Sequence, residues 1–547
     1  GGIKLTFLVK RFFVFILLIF SAGSHAADMT EADLRQISQQ LVGAKLKTLP
    51  AIVEQFEAGG DKAMPLLDAM LKGRLFVRKS DKLVVIGERQ QDGDYALVDA
   101  LNAESLASSS KKRLKKVKVN NRLRVQLREV MARITLSSDN PDIRNSAVKN
   151  MLNKMSDRNI AMLTKAKEVE TDSKIMALIE LALAINTLKA ADVQADRLAA
   201  LETMDGSLEP VVLNTLSNLL AQDNAGNNLE SDVVVHAKAS KIKDSIQQKI
   251  KFYELIEQLF FGLSLGSVLL LIATGLAITF GVMGVINMAH GEMIMIGAYT
   301  AYVVQLLMPN FIEYSLLVAI PMAFLIAGAV GILIERCVIR FLHGRPLETL
   351  LATFGISLIL QQTVRSIFSP LNRQVFSPSW MSGSLDLNPI FSLTYNRLYI
   401  LLFALLVFFI LQLVLKRTSL GLNVRAVSQN RSMARAIGIR TEWVDAMTFG
   451  LGSGIAGIAG VALSQLTNVG PNLGQAYIID SFMVVVFGGV GNLWGTLVGG
   501  FSLGILNKFL EPVTGAVLAN IIILVSIILF IQKRPRGLFP QKGRAAG

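Results

Sequence analysis

The 547-residue chain has a single cysteine, Cys337, which excludes an intrachain disulfide framework and any cysteine-rich metal site. Histidine is almost as scarce: His25, His236, His290 and His343 are scattered singly, so no histidine-cluster metal centre is expected. The sequence contains no GxxxxGK[ST] run, so the chain does not bind nucleotide through a phosphate loop, and it contains neither HExxH nor GxSxG. Residues 27–250 contain no apolar run long enough to span a bilayer, and the second half has very few charges within its apolar runs. Glu292 and Glu313 are the only charged residues between Glu257 and Glu335.

What is present is apolar mass. A hydrophobic fraction of 52% and a mean hydropathy of +0.48 exceed the range of a soluble protein of this length. The chain therefore reads as a membrane protein with an attached soluble part. A net charge of +14 would also suit nucleic-acid binding, but basic cytoplasmic loops of a membrane protein produce the same total, and no nucleic-acid partner is expected.

Lys4, Lys10 and Arg11 precede the apolar run Phe12 to Phe20, and small residues at Ser24 and Ala26 suit cleavage. Residues 1–26 are thus expected to be a signal peptide, with an uncleaved anchor as the alternative. Residues 27–250 form an exported, mainly helical domain. Leu34, Ile37, Leu41 and Leu46 mark an amphipathic helix, and alternation through Leu75, Val77, Leu83, Val85, Tyr95 and Leu97 predicts a small β hairpin, with turns at Ser80-Asp81 and Asp92-Gly93. Ile143, Ile175 and Val211 each lead an apolar-faced helix at spacings suited to stacked HEAT-type helix pairs, although an irregular helical bundle would leave the same pattern. The basic run Lys111 to Lys118 suits either contact with anionic lipid or an acidic partner, or a solvated helix face.

Residues 251–547 form the membrane half. Apolar runs fall near 259–283, 292–308, 315–339, 349–369, 398–415, 446–466, 479–510 and 513–531. Three connecting regions are basic: Arg336, Arg340 and Arg345; then Lys416, Arg417, Arg425, Arg431, Arg435 and Arg440; then the tail from Lys533. The positive-inside rule places all three in the cytoplasm. From an exported domain, three runs precede the first region and two lie between the first and second, both with the required parity. Three runs follow the second region where an even number is needed. The run 479–510 is interrupted by Gly488-Gly489-Val490-Gly491-Asn492, so a broken or re-entrant helix is expected there. The fold class is all-α: a polytopic permease of eight or nine membrane segments, preceded by the mainly helical domain with its small β element. Four-residue spacings of glycine, Gly262/Gly266, Gly450/Gly454, Gly495/Gly499 and Gly500/Gly504, predict close helix packing.

Between the first two runs, Asn287, His290 and Glu292 place an amide, an imidazole and a carboxylate within six residues. A charge at mid-membrane costs about 2.5–3.5 kcal/mol on insertion scales and so needs a partner or a role. Two roles suit them: lining or gating a solute pathway, or pinning a helix junction to backbone and helix ends. An intramembrane hydrolase would need partners for His290 and Glu292 that the sequence does not display. The loop Ser419 to Glu442 is faintly helical, with Val424, Val427, Met433, Ala434 and Ile437 on one side and Gly438 as a stop, which suits docking into a groove on a soluble partner.

Three ordered segments carry a resemblance: Asn287-Met288-Ala289-His290-Gly291-Glu292 through Tyr299; Gly421-Leu422-Asn423-Val424-Arg425-Ala426 with Ala434 and Gly438; and Phe487 through Gly495. Over about residues 255–540 the chain resembles the membrane permeases of branched-chain amino acid ABC importers, and the fused exported domain resembles the urea-transporting members of that family. The resemblance implies a transport subunit rather than an enzyme, with no cofactor of its own. It implies ATP used by two separate ATPase subunits, a second homologous permease, a periplasmic substrate-binding protein and a bacterial inner-membrane location. It further implies an ATPase-coupling loop at Gly421, Arg425, Ala426, Arg431, Ala434 and Gly438, with Gly488, Gly489, Gly491 and Asn492 at the helix break. The resemblance implies urea as the solute, and the scarcity of basic residues at depth favours a neutral solute over a zwitterion, which calls for paired opposite charges. An amino-acid importer is the alternative within transport. A membrane-anchored sensor is the alternative outside it, though a sensor needs a cytoplasmic signalling domain and only some sixteen residues follow Ile531.

Overall fold

A computed structural model describes residues 30–89, 94–153, 155–222 and 228–540. The expected signal peptide and the expected turn at Asp92-Gly93 lie outside the described residues. The chain divides between Ile246 and Gln247 into two compact units.

In the first unit, helix α1 (Glu31–Gln40) begins with a capping box in which Thr30 and Asp33 satisfy each other's backbone N–H. It buries Leu34 and Ile37, and Leu41 is buried just beyond its end. Leu46 is exposed, contrary to its expected place on the same apolar face. The chain continues through α2 (Leu49–Gln55) and α3 (Met64–Leu71). These helices pack with α4 (Asn121–Leu136) around Leu66, Leu67, Met70, Leu127 and Val130.

Where a hairpin was expected, five strands form one antiparallel sheet: β1 (Leu75–Arg78), β2 (Val84–Arg89), β3 (Tyr95–Asp99), β4 (Ser105–Ser109) and β5 (Leu114–Lys116), in the order β4-β3-β2-β1-β5. The basic run is not a helix face. Lys111–Arg113 make one 3-10 turn, and Lys115 and Lys116 sit exposed on edge strand β5, where lysines discourage pairing with another chain.

Helices α5 (Pro141–Leu152), α6 (Asp157–Val169), α7 (Ser173–Ala190), α8 (Gln194–Met204) and α9 (Pro210–Leu219) follow with short connections. The three recurring segments each open a helix, as their patterns predict. Their leading residues are not equivalent, however: Ile143 is exposed, Val211 half-buried and Ile175 buried. The recurrence therefore sets helix starts without setting one repeated packing register.

The unit boundary falls inside α10 (Val233–Met283), a continuous 51-residue helix whose C-terminal part is the first apolar run. The second unit continues with α11 (His290–Leu307), α12 (Ile312–Cys337), α13 (Pro346–Phe368), α14 (Tyr395–Arg417), α15 (Ser419–Gln429), α16 (Arg431–Ala436), α17 (Thr441–Ser464), α18 (Leu473–Gly488), α19 (Leu493–Thr514) and α20 (Ala516–Lys533). Among the described residues, seven helices are long and apolar enough to cross a membrane: α10, α12, α13, α14, α17, α19 and α20. The expected broken helix is present as α18 and α19, separated by Gly489 to Asn492.

Helix α11 lies among α12, α17 and α18, and 13 of its 18 residues are buried. The glycine spacings act between helices. Gly262 and Gly266 of α10 meet Gly500 and Gly504 of α19 so closely that a Cβ on Gly504 would stand 2.5 Å from the Gly262 carbonyl oxygen. The connection from α13 to α14 holds a hairpin missed in the sequence, β6 (Ser384–Asn388) with β7 (Phe391–Thr394). Glu313, at the start of α12, is accounted for there: its carboxylate accepts from the Ser379 N–H and hydroxyl, the latter at 2.7 Å.

Candidate functional site

Helix α10 ends where Gly284 takes φ +66°, and α11 begins at His290. Asn287, His290 and Glu292 are at most 1% exposed. Each is held from within the chain. The Asn287 Oδ1 accepts the Ala289 N–H at 3.0 Å. His290 Nε2 lies 3.0 Å from the Ile272 carbonyl on α10; a carbonyl only accepts, so Nε2 carries the proton. Room for the ring comes from Gly275, where a Cβ would stand 3.0 Å from His290 Cε1.

The Glu292 carboxylate reaches α13. Its Oε1 accepts from Ser357 Oγ and from Gln361 Nε2, both at 2.7 Å. Thr349, Thr353, Ser357 and Gln361 are the buried residues of α13. They form a polar stripe at four-residue spacing, one helical face, and Thr353 Oγ1 also accepts the Met288 N–H at 3.2 Å. Leu347, Leu351, Leu358 and Ile359 lie exposed on the other faces of α13. The stripe escaped the sequence reading, yet its signal was there as a run of hydroxyl and amide residues every fourth position in an apolar segment. Asn287 Nδ2, His290 Nδ1 and Glu292 Oε2 remain buried without partners. The first segment is thus a pinned junction between α10, α11 and α13 that keeps three polar atoms in reserve.

In the second segment, Thr418 caps α15 by accepting the Gly421 N–H at 3.3 Å, and Asn430 caps α16 by accepting the Met433 N–H at 3.0 Å. Val424, Val427 and Ala434 pack with Val444, and Ala426 lies against that cluster. Gly421 sits against the Leu415 backbone, where no side chain fits, and Gly438 ends the element at φ +96°. Arg425 donates to the Leu415 carbonyl. Arg431 forms a two-pronged pair with Asp445 of α17, one contact at 3.2 Å and the other shorter, and Arg435 donates to Thr441 Oγ1 at 3.2 Å. Asp445 is 2% exposed. Beside it, burial and the Arg431 charge hold the His343 imidazole below its usual pKa. Leu422, Met433 and Ile437 remain exposed, so the element turns one apolar side inward and another outward. Met433 and Ile437, expected on the same side as Val424, lie on the outward one.

In the third segment, Gly488 and Gly495 meet backbone to backbone across the break, and Gly489 and Gly491 take φ +109° and +78°. Asn492 caps α19, its Oδ1 accepting the Trp494 N–H at 3.0 Å and the Gly495 N–H at 3.2 Å. Leu538 and Phe539 donate their N–H groups to the Phe487 and Gly488 carbonyls at 2.9 and 3.1 Å, closing the end of α18. A cavity of about 410 Å³, lined by Gly421, Arg425, Ser428, Gly491, Asn492 and Trp494 among others, brings the second and third segments together. Asn287, His290 and Glu292 do not line it.

Residues 258–531 match the family described as branched-chain amino acid transport system / permease component. The chain is 30% identical over 299 residues to the high-affinity branched-chain amino acid transport system permease protein BraD of Pseudomonas aeruginosa, covering 53% of this chain and 96% of that protein. It is 32% identical over 300 residues to the corresponding protein LivH of Salmonella typhimurium and 31% identical to LivH of Escherichia coli K12, with the same coverage of 53% and 96%. A ribose import permease, RbsC of Bacillus subtilis, matches more narrowly, at 31% over 140 residues and 44% of its length. No solved structure matches. The chain belongs to the branched-chain amino acid transport permease family, and it is a multi-pass membrane permease.

Proposed function

We propose that this chain is the permease subunit of an ATP-driven importer for branched-chain or closely related amino acids. The observation that carries the reading is the similarity to BraD and LivH over nearly the whole of those proteins. In this reading the chain works beside a second homologous permease, two ATPase subunits and a periplasmic binding protein. The basic regions at Arg336–Arg345, Lys416–Arg440 and the C-terminal tail lie in the cytoplasm. Counting α18 and α19 as separate crossings gives four after Arg440 and nine in all, with the N-terminal unit exported and the parity met throughout.

The α15–α16 element is the coupling element. Its exposed Leu422, Met433 and Ile437 suit an apolar groove on an ATPase. Its Arg431–Asp445 pair ties it to α17, which packs along α11. Movement imposed on the element by ATP binding thus reaches the helix that carries Glu292, biasing the permease between outward- and inward-facing states. The test is co-purification: a tagged chain should recover two ATPase subunits, and replacing Leu422, Met433 and Ile437 by serine should abolish recovery. Recovery unaffected by that replacement would contradict the assignment.

Urea is the second reading. It is favoured by the N-terminal unit: the curated relatives are matched over 96% of their own length by about half of this chain, so that unit is an addition to their common plan, as in the urea-transporting members that the sequence resembles.

A further inference from the structure

The cavity of about 410 Å³ between the second and third segments joins apolar walls to positive charge. Its apolar walls include Ala277 and Ile278 of α10 and Leu493 of α19, and no carboxylate lines it. Two cations do: Lys416 at the end of α14 and Arg425 on α15, both exposed. Among the described residues neither has a carboxylate partner, and Arg425 donates to the Leu415 carbonyl alone. Gln412 adds an amide to the same wall as Lys416.

Phe409, Gln412, Leu413 and Lys416 follow one another at helical spacing, so they form one stripe of α14. Phe409 and Leu413 are exposed, and the apolar run of α14 gives way at its end to Lys416 and Arg417. Trp494, which also lines the cavity, stands at this level. Its ring centre lies 5.6 Å from that of Phe408 and 6.4 Å from that of Phe409. Tryptophan is enriched at this height, where a membrane meets water. The stripe thus runs from an exposed apolar surface of a membrane helix to two cations where lipid headgroups sit.

We infer that this cavity holds the phosphodiester headgroup of an anionic phospholipid, with an acyl chain along Phe409 and Leu413. The phosphate supplies the negative charge that Lys416 and Arg425 lack within the chain. A free phosphate would meet the cations and leave the apolar stripe unused. A zwitterionic lipid would bring an ammonium group for which the cavity has no carboxylate. Because the lining comes from α10, α14, α15 and α19, a bound headgroup ties α15 to the helix break. The inference needs only that the chain is a membrane permease and is independent of its solute.

The test measures the first lipid bound to the full chain in detergent, by native mass spectrometry, with dioleoyl phosphatidylglycerol and dioleoyl phosphatidylcholine as probes. Phosphatidylglycerol should bind at least about fivefold more tightly. Lys416→Gln and Arg425→Gln should each weaken its binding about fivefold, the loss expected for one cation beside an anionic lipid. Arg417→Gln, next to the cavity without lining it, should bind as the parent does. Equal parental affinity for the two lipids would overturn the assignment, as would parental phosphatidylglycerol affinity in both cavity variants. A loss in Arg417→Gln as large as theirs would overturn it too, since the attraction would then belong to the basic end of the bundle in general. Displacement of phosphatidylglycerol by millimolar inorganic phosphate would make this a free-anion site and overturn the lipid assignment. If Arg425→Gln does not fold, Lys416→Gln and the lipid preference decide by the same thresholds.

Discussion

Gln361 on α13 donates to Glu292 on α11 at 2.7 Å, across 69 residues of sequence and between two helices whose other contacts are sparse. With Ser357 it gives the intramembrane carboxylate two partners on a single oxygen. That relationship makes Glu292 a tie between helices first, whatever it does for solute.

The tie predicts an asymmetry. Glu292→Gln keeps an acceptor oxygen for both donors, and the complex should assemble with little loss of stability. Glu292→Leu leaves two buried donors unpaired and should cost about 1–3 kcal/mol. Thermal melts of the purified complex check the order; equal melting of the two variants would contradict it.

At the proposed coupling element, Arg431→Ala leaves Asp445 buried beside a small gap. Removing one partner of this part-buried pair costs about 1–3 kcal/mol. Transport should fall more than assembly does, because the pair connects the element to α17. ATP turnover that continues without uptake is the expected signature.

Backbone proximity sets a third expectation. Gly297 of α11 and Gly457 of α17 touch through main-chain atoms, and a Cβ on Gly297 would overlap the Gly457 carbonyl. Gly297→Ala should therefore destabilise the bundle by about 1–3 kcal/mol, or more if the helices cannot part. Melting temperature, compared with Gly355→Ala, where a Cβ meets nothing within 4 Å, is the measurement.

Much of this architecture was legible in the sequence. Hydropathy located the spans, and the odd number of runs after the second basic region pointed to a broken or re-entrant helix among them. The glycines at 488, 489 and 491 identified where the extra break falls, since only a φ-permissive run turns so tightly. Other features were not legible. Strands β4 and β5 are serine- and lysine-rich and put only one leucine each, Leu106 and Leu114, against the sheet's apolar cluster, so neither shows the apolar alternation that marks a strand. The role of Glu292 depends on Ser357 and Gln361, and nothing local at Glu292 announces a partner on α13.

Acid should loosen the N-terminal unit. Hydrogen bonding from Arg144 holds the Glu170 carboxyl below its ordinary 4.5, and Arg197 does the same for Glu230. A carboxylate with a lowered folded-state pKa contributes stability that is complete above about 4.5 and is lost as pH falls through the folded value. Amide exchange in α5 through α8 of the full chain should accelerate as pH is lowered from 5 toward 3, after correction for intrinsic exchange. An Arg144→Gln, Arg197→Gln variant should show a weaker dependence.

ATP-dependent uptake of labelled leucine and of labelled urea by the reconstituted complex separates amino-acid import from urea import. For an amino-acid importer, leucine accumulation that requires ATP and the binding protein is expected. Accumulation of urea with no uptake of leucine would contradict it.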